Sequence, residues 1–363
     1  MSDSEHGVGG LTFDKSKRTW PNEFNVFGAL ILIIIIFELL GFMGVGALKA
    51  GSSLLFDSQD RFDSIFNEQR LRIIILQVSI IGIIALGVTQ VIITGGIDLS
   101  SGSIVGASAM IAMSFAQVAT VNGYTNPTAV FSPTFMDLPV VIPIIVGLSC
   151  GIFAGMINGL LVAYTRIPPF IATLGMMVTA RGIAKWWTQG SPISFPTESY
   201  SMIGQGMMPV FVFIALAILF HCIMKYTVYG KHTYAIGSNE DAARMSGINV
   251  QRHKVLVYVI AGALAALAAI ILSSKNLTAQ SGMGIIYELD AIAMAVIGGV
   301  SLSGGRGSII GTVIGALIFG VIISGFTFLR LDAYYQEMAK GVIIVGAVVL
   351  DQWRQRRSAA SAK

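Results

Sequence analysis

Residues 71–106 read LRIIILQVSIIGIIALGVTQVIITGGIDLSSGSIVG, an apolar run that stops at two glycines and resumes after a short polar segment. About 20 consecutive apolar residues are needed to cross the hydrocarbon core of a bilayer as a helix. Runs of this length recur from residue 25 to residue 353, so the chain has no room for a soluble domain of about 100 residues. The pattern predicts a single integral membrane domain.

The composition leads to the same class of protein. Of the 363 residues, 54% are hydrophobic and 12% are charged, and this charged fraction is about half that of ordinary soluble domains. The first apolar segment has no small-residue cleavage site, so we expect it to be a retained helix. Cys150 and Cys222 both lie in apolar stretches, where a thiol usually acts as a small hydrophobe, and they imply neither a disulfide nor a metal site.

The hydrophobic pattern predicts an all-α, polytopic integral membrane protein with about ten transmembrane helices. Polar tails at residues 1–24 and 354–363 flank a transmembrane domain over residues 25–353. The predicted spans cover residues 25–48, 71–94, 102–121, 140–163, 168–187, 207–224, 254–273, 288–303, 307–329 and 337–353.

The distribution of Lys and Arg predicts the orientation, because cytoplasmic flanks collect these residues. With the N-terminus inside, 14 of the 23 Lys and Arg residues fall on the cytoplasmic side and 7 fall outside. The remaining two, Arg181 and Lys340, lie within spans, and we expect Arg181 to extend towards the outer interface. This orientation places both termini and the long loop 225–253 in the cytoplasm.

Glycines indicate how the helices pack. Gly147, Gly151, Gly155 and Gly159 form a four-residue ladder in the fourth span, and Gly307, Gly311 and Gly315 form another in the ninth. Such ladders let two helix backbones approach closely.

The sequence contains an internal repeat, because GGIDLSSGSIVG at 95–106 resembles GGVSLSGGRGSIIG at 298–311. A parallel repeat places both copies on the same side of the membrane, whereas an inverted repeat places them on opposite sides.

Polar side chains within spans mark a candidate substrate path, because a polar side chain costs less free energy when it faces a water-filled cavity than when it faces lipid. Asp98 is either the N-cap of the following helix or a polar group on this path. The alternative role for each candidate is an interhelical hydrogen bond of about 0.6 kcal/mol. As a set they are mostly neutral, which suits a hydroxylated substrate better than an ion. The other candidates are Gln90, Thr94, Asn158, Thr173 and Asp290.

The polar segment at 230–254 carries the signals of a short helix; it reads GKHTYAIGSNEDAARMSGINVQRHK. Ser238 or Asn239 is a suitable N-cap, acidic residues follow in the first turn, and Gly247 supplies a left-handed stop. About eight residues span only ~12 Å, so this helix cannot cross a bilayer. Its exposed residues, Ala242, Ala243 and Met245, suit docking on another protein. The alternative is a capped loop that merely connects two spans.

Several blocks resemble the permease subunits of bacterial ATP-binding-cassette sugar importers of the ribose, xylose, galactose and inositol type. They are TGGIDLSSGS at 94–103, PPFIATLGMMVTARG at 168–182, YAIGSNEDAARMSGINV at 234–250, YELDAIAMAVIGGVSLSGGRGS at 287–308 and YYQEMAKGVIIVGAVVLD at 334–351. The resemblance covers the chain from about residue 71 to its end.

The resemblance implies a ten-span permease of the bacterial inner membrane, carrying a neutral sugar or a cyclitol such as inositol. It implies three protein partners: a second permease copy, a periplasmic solute-binding protein, and an ATPase subunit that binds ATP and Mg²⁺. This chain then needs no cofactor of its own, and no nucleic-acid partner is expected. The coupling role carries over to Asn239, Glu240, Asp241, Ala242, Ala243, Arg244, Met245 and Gly247.

The alternatives to an ATP-driven permease are an ion-coupled secondary transporter and a membrane-embedded enzyme. The GGRGS stretch at 304–308 lacks the GK[ST] ending of a phosphate loop, which argues against an ATP site in this chain. An ion-coupled secondary transporter would need carboxylates within its spans, and Asp98 and Asp290 are the candidates. A membrane-embedded enzyme is disfavoured, because the four histidines show no metal-ligand spacing within any span.

Overall fold

The chain folds almost entirely into α-helices. The computed structural model describes residues 22–45, 51–56 and 66–360, and thirteen α-helices lie within these ranges. In chain order they are α1 (Asn22–Phe42), α2 (Glu68–Ile93), α3 (Ser101–Ala116), α4 (Val141–Tyr164), α5 (Pro169–Trp187), α6 (Glu198–Ser201), α7 (Met208–Tyr226), α8 (Val228–Ser238), α9 (Glu240–Met245), α10 (Val250–Asn276), α11 (Tyr287–Ile297), α12 (Ile309–Phe328) and α13 (Ala333–Ala360).

Short extended segments lie in the connections. They form two antiparallel pairs, one of them a local hairpin between α3 and α4, and the other joining the loop after α5 to the end of α10. Single-turn 3-10 helices at Pro133–Phe135 and Met202–Gly204 complete the loops. The strands are β1 (Thr120–Val121), β2 (Tyr124–Thr125), β3 (Ile193–Ser194) and β4 (Thr278–Ala279).

Each of the ten predicted spans overlaps one helix, and the polytopic all-α prediction is confirmed. Six helices within the described residues are long and apolar enough to cross a membrane: α1, α2, α4, α7, α10 and α12. By contrast, α11 has only 11 residues, or about 16 Å of rise, which is half of the hydrocarbon thickness. Its shortness follows from the glycines that end it.

The predicted tails differ from the structure at their inner ends. Helix α1 begins at Asn22, three residues before the predicted span, and residues 1–21 of the N-terminal tail lie outside the described residues. Helix α13 continues to Ala360, so most of the segment 354–363 extends the last helix instead of forming a separate tail. The predicted cytoplasmic loop 225–253 is also largely helical, because α8 and α9 occupy it.

The core lies around α2, α3 and α10, whose side chains are buried along most of their lengths. The glycine ladder of α4 packs directly on α10, as predicted: a Cβ atom at Gly151 would overlap the Gly262 carbonyl oxygen, and one at Gly155 would overlap the Tyr258 carbonyl oxygen. The second ladder is only partly helical. Gly311 and Gly315 of α12 pack on α11, whereas Gly307 precedes α12.

The two copies of the glycine-rich repeat have the same local structure. Gly95, two residues after the end of α2, and Gly299, two residues after the end of α11, are both in the left-handed region, with φ values of +78° and +90°. In each copy the residue that follows this glycine donates back to the helix in the same Schellman pattern: the Gly96 N–H to the Val91 carbonyl, and the Val300 N–H to the Ala295 carbonyl. The copies touch, since a Cβ atom at Gly304 would lie 3.0 Å from the Gly95 nitrogen. Contact between the copies does not distinguish a parallel from an inverted repeat, so the parallel arrangement stays a prediction.

Candidate functional site

Helix α9 is closed at both ends by local hydrogen bonds. Asn239 has an extended backbone, and its side-chain Oδ1 accepts from the Ala242 N–H at 2.9 Å. At the other end, Gly247 has a φ of +85°, its N–H donates to Arg244, and the Ile248 N–H donates to Ala243. This is a Schellman motif. The predicted N-cap and glycine stop are confirmed, although the helix has six residues instead of about eight.

The outer face of α9 is small and mostly polar, with one apolar side chain at its end. Met245 is 89% exposed, and Asp241 and Ala242 are also exposed. The expectation that Ala243 is available for contact is wrong, because this residue is only 4% exposed. Its methyl group packs with Ile236 and its neighbours in a small cluster beneath the helix. Ala243 therefore packs α9 against the residues beneath it, whereas Met245 is exposed on the outer face of the helix.

Charged side chains fix α9 to the start of α10. Glu240 accepts from Arg244 at 2.9 Å, one turn along the same helix, and from Lys254 of α10 at 2.6 Å. Arg244 also lies 3.5 Å from Asp241. Lys254 is largely covered, with a side chain that is 18% exposed. The acidic residues of the first turn thus interact favourably with the helix dipole, and one of them, Glu240, also attaches α9 to α10.

A cleft of about 340 Å³ opens beside α9. One wall is the turn between α4 and α5, including Arg166 and Pro168, and the other wall contains Glu240, Arg244 and Lys254. Arg166 is exposed and forms no salt bridge within the part of the chain that the structure describes. The surface next to α9 is therefore concave and carries an unpaired positive charge.

Sequence reasoning missed α8, which immediately precedes α9. Its buried residues include Gly230, Thr233 and Ile236, a three-residue spacing that is consistent with one helix face, but polar residues around them hide the pattern. Tyr229 of α8 donates to Gln90 of α2 at 2.7 Å, and Thr233 lies 2.9 Å from the His253 ring. These contacts seat α8 against the bundle.

Three of the predicted path residues meet at the segment between α2 and α3. Asp98 accepts from the Ser100 N–H at 2.8 Å and from its hydroxyl at 2.6 Å, and Asn158 donates to the Ser100 hydroxyl at 2.8 Å. Thr173 donates to the Ile97 carbonyl at 3.3 Å. Ser100 is the N-cap residue of α3, so the interpretation of Asp98 as the cap itself is wrong. Asp98 instead orients the residue before the helix.

The other three path candidates lie elsewhere. Gln90 bonds to α8, and Thr94 donates to the Val91 carbonyl of its own helix at 2.8 Å. Asp290 of α11 accepts from Lys340 of α13 at 2.9 Å. All six candidates are at most 5% exposed, so in this conformation they do not line one open cavity.

Arg181 forms hydrogen bonds within the protein, and its extension towards the outer interface stays a prediction. Its guanidinium donates to the carbonyl oxygens of Ser281 and Met283, both at 2.8 Å. These acceptors belong to the segment between β4 and α11, so Arg181 of α5 holds that segment in place. Within the described residues, no group of three or more His, Cys, Asp or Glu side chains is placed to hold a metal ion.

Comparisons with known proteins place this arrangement in a family. A family model described as a permease component of the branched-chain amino acid transport system matches residues 70–348. The ribose import permease protein of Bacillus subtilis is 43% identical over 285 residues, which is 76% of this chain and 82% of that protein.

Two further relatives agree with that match. The ribose import permease protein of Haemophilus influenzae is 38% identical over 79% of this chain and 86% of its own length. The galactose/methyl galactoside import permease protein of Salmonella typhimurium is 34% identical over 94% of this chain and 98% of its own length. No solved structure gives a significant match. The chain therefore belongs to the family of bacterial ATP-binding-cassette importer permeases that includes the ribose and galactose import permeases.

Proposed function

We propose that this chain carries a neutral sugar or a cyclitol across the bacterial inner membrane, driven by an ATPase subunit that docks on α9. Its relatives are import permeases for ribose and for galactose and methyl galactosides, which are neutral and rich in hydroxyl groups. The ion-coupled alternative is less favoured, because Asp98 is bonded to Ser100 and Asp290 to Lys340.

The observation that carries the proposal is the construction of α9. A helix of six residues is far too short to be stable on its own. Here it is capped at both ends, seated on Ala243 and tied to α10, yet it leaves Met245 almost fully exposed. A rigid knob with an exposed methionine is suited to fill a groove on a partner protein. The cleft beside it, with Arg166, enlarges the docking surface.

In the proposed topology, all ten apolar helices belong to the membrane domain and both termini are cytoplasmic. The excess of Lys and Arg on the α9 side supports this orientation. Labelling tests it: with Cys150 and Cys222 replaced by alanine, a Met245→Cys variant should react with an impermeant maleimide in inside-out vesicles. Reaction only in right-side-out vesicles would place α9 outside and reverse the topology.

The proposed mechanism uses two permease copies and two kinds of partner, a periplasmic binding protein and an ATPase subunit. A periplasmic binding protein delivers the sugar from outside, and ATP with Mg²⁺ is held by the ATPase subunits. When ATP draws these subunits together, each α9 moves with its subunit and shifts the bundle between outward-open and inward-open states. Asp98, Asn158 and Thr173 are proposed to face the sugar in one of these states, since they converge on a non-helical segment.

The docking proposal is tested by binding. The purified chain in nanodiscs is titrated with the ATPase subunit, comparing Met245→Glu with the matched variant Met245→Leu. A charge placed in an apolar groove should weaken binding by about tenfold or more, whereas leucine should preserve it. Uptake is then measured in proteoliposomes with the binding protein and labelled ribose, galactose or inositol. Equal binding by both variants, or sugar uptake driven by an ion gradient without the ATPase, would refute the proposal.

A further inference from the structure

The last turn of α8 lies against the end of α2 and against the second copy of the glycine-rich repeat. A Cβ atom at Gly237 would overlap the Ile93 carbonyl oxygen and would lie 2.5 Å from the Gly305 nitrogen. The Gly305 N–H donates to that same Ile93 carbonyl at 2.8 Å. Three main chains therefore meet with no side chain between them. We call this contact of Ile93, Gly237 and Gly305 the glycine junction.

The backbone of the second repeat copy is shaped for this contact. Gly304 and Gly305 both have left-handed φ values, +82° and +72°, which side chains rarely adopt. A Cβ atom at Gly305 would also lie 2.7 Å from the Ser238 hydroxyl, and one at Gly304 would lie 3.0 Å from the Gly95 nitrogen. The second copy thus contacts α8 on one side and the first copy on the other.

Side-chain hydrogen bonds hold α8 to the same two elements. The Tyr234 hydroxyl donates to the Gly307 carbonyl of the second copy at 2.9 Å. Burial and the nearby Glu23 carboxylate raise the pKa of Tyr234, so its hydroxyl keeps the donated proton at neutral pH. Tyr229 binds Gln90 in the last turns of α2, just before the first copy. Helix α8 is therefore bonded to α2 and to the second copy.

The junction connects α9 to two membrane helices. A single residue, Asn239, separates α8 from α9, and its N–H still donates to the Ala235 carbonyl of α8 at 3.1 Å. On the other side, α3 begins within the first repeat copy, at Ser101, and α12 begins within the second, at Ile309. Main-chain contacts at the junction therefore link α9 to the segments that lead into α3 and α12.

We propose that the glycine junction transmits the movement of α9 to α3 and α12, and that Gly237 and Gly305 set how much sugar is moved for each ATP hydrolysed. The inference rests on the proposed ATPase docking, and it concerns a step after docking. A methyl group at Gly237 would push α8 away from the end of α2 and from the second repeat copy, whereas the exposed residues of α9 lie outside this contact.

The test compares Gly237→Ala with Gly28→Ala, a helical glycine whose added Cβ would meet nothing within 4 Å. Each variant is reconstituted with the ATPase subunit and the binding protein, using whichever of ribose, galactose or inositol the wild-type importer carries. Gly237→Ala should bind the ATPase as the wild type does, while uptake per ATP falls about tenfold. The milder Tyr234→Phe, which removes one hydroxyl, should lower the ratio about threefold. Gly28→Ala should keep the wild-type ratio.

A folded Gly237→Ala variant with an uptake per ATP equal to that of Gly28→Ala would overturn the proposal. If Gly237→Ala does not fold, Tyr234→Phe decides the matter, and a wild-type ratio in that variant would overturn it equally. Failure of the docking proposal looks different, because the wild-type chain itself would then not bind the ATPase. Only variants with wild-type ATPase affinity are compared for the junction.

Discussion

The Nζ atom of Lys254 lies 2.6 Å from Oε2 of Glu240, and this ion pair joins the first turn of α10 to the first turn of α9. Helix α9 is thereby attached at two places: through Asn239 to α8, and through Glu240 to α10. Two attachments fix its orientation as well as its position. A movement imposed on α9 by a partner must therefore move α8 and the start of α10 together.

The ion pair can be tested by Lys254→Met, which keeps the length of the side chain and removes its charge. Glu240 retains Arg244, and its side chain is 41% exposed, so the loss in stability should be small, about 0.5–1 kcal/mol. The resulting looser seating of α9 should weaken ATPase binding by a few-fold, measured by titration in nanodiscs. Lys231→Met is the control, since Lys231 of α8 is exposed and forms no salt bridge within the described residues. An equal effect of both variants would contradict a role for the pair.

The cap of α9 gives a second prediction. Asn239→Ala removes the acceptor for the Ala242 N–H and should cost about 1 kcal/mol, a typical value for loss of an N-cap. In a six-residue helix such a loss exposes the whole segment, so amide hydrogen exchange over residues 240–245 should accelerate about fivefold. Asn239→Asp keeps an acceptor oxygen and should restore the wild-type rate. If Asn239→Asp exchanges as fast as Asn239→Ala, the cap does not maintain α9.

The contact between α4 and α10 gives a third prediction. A methyl group at Gly151 would overlap the Gly262 carbonyl and force the two helices apart, at a cost of about 1–3 kcal/mol. Gly28→Ala is the matched control, because its methyl group is unobstructed and alanine favours a helix by about 1 kcal/mol over glycine. The melting temperature in detergent should therefore fall for Gly151→Ala and stay equal or rise for Gly28→Ala. Equal shifts of the same sign would show that close packing at Gly151 does not matter.

Local signals in the sequence predicted the parts of the site that depend on neighbouring residues. The cap at Asn239 and the stop at Gly247 involve hydrogen bonds within five residues, so residue types alone indicate them. The burial of Ala243 depends on Ile236 and Val250, which belong to two other helices. Its role therefore could not be read from helix periodicity.

Contacts between distant residues could not be predicted in this way. The acceptors of Arg181, in Ser281 and Met283, lie about 100 residues further along the chain and are carbonyl oxygens, which any residue type supplies. Asn158 meets Ser100 across 58 residues, so the polar candidates were identified but their grouping was not. Hydropathy located the helices, because the length of an apolar run is a local property.

The ion pair between Asp290 and Lys340 gives a fourth prediction, about how α13 is held. It joins α11 to α13, and the Asp290 side chain is only 2% exposed, with one carboxylate oxygen buried and unpaired. Lys340→Met leaves this carboxylate without a counter-charge, which should cost about 3–5 kcal/mol and lower the melting temperature in detergent. The control is Lys185→Met, since Lys185 is exposed on α5 and forms no salt bridge within the described residues.

The double variant Asp290→Asn with Lys340→Met distinguishes the pair from simple loss of a lysine. Because it removes both charges, no uncompensated carboxylate remains, and the melting temperature should recover most of what Lys340→Met lost. If the double variant melts as low as Lys340→Met, the attachment of α13 depends on the lysine ammonium group, which also lies over the Phe319 ring at 5.6 Å from its centroid, and not on the charge of Asp290.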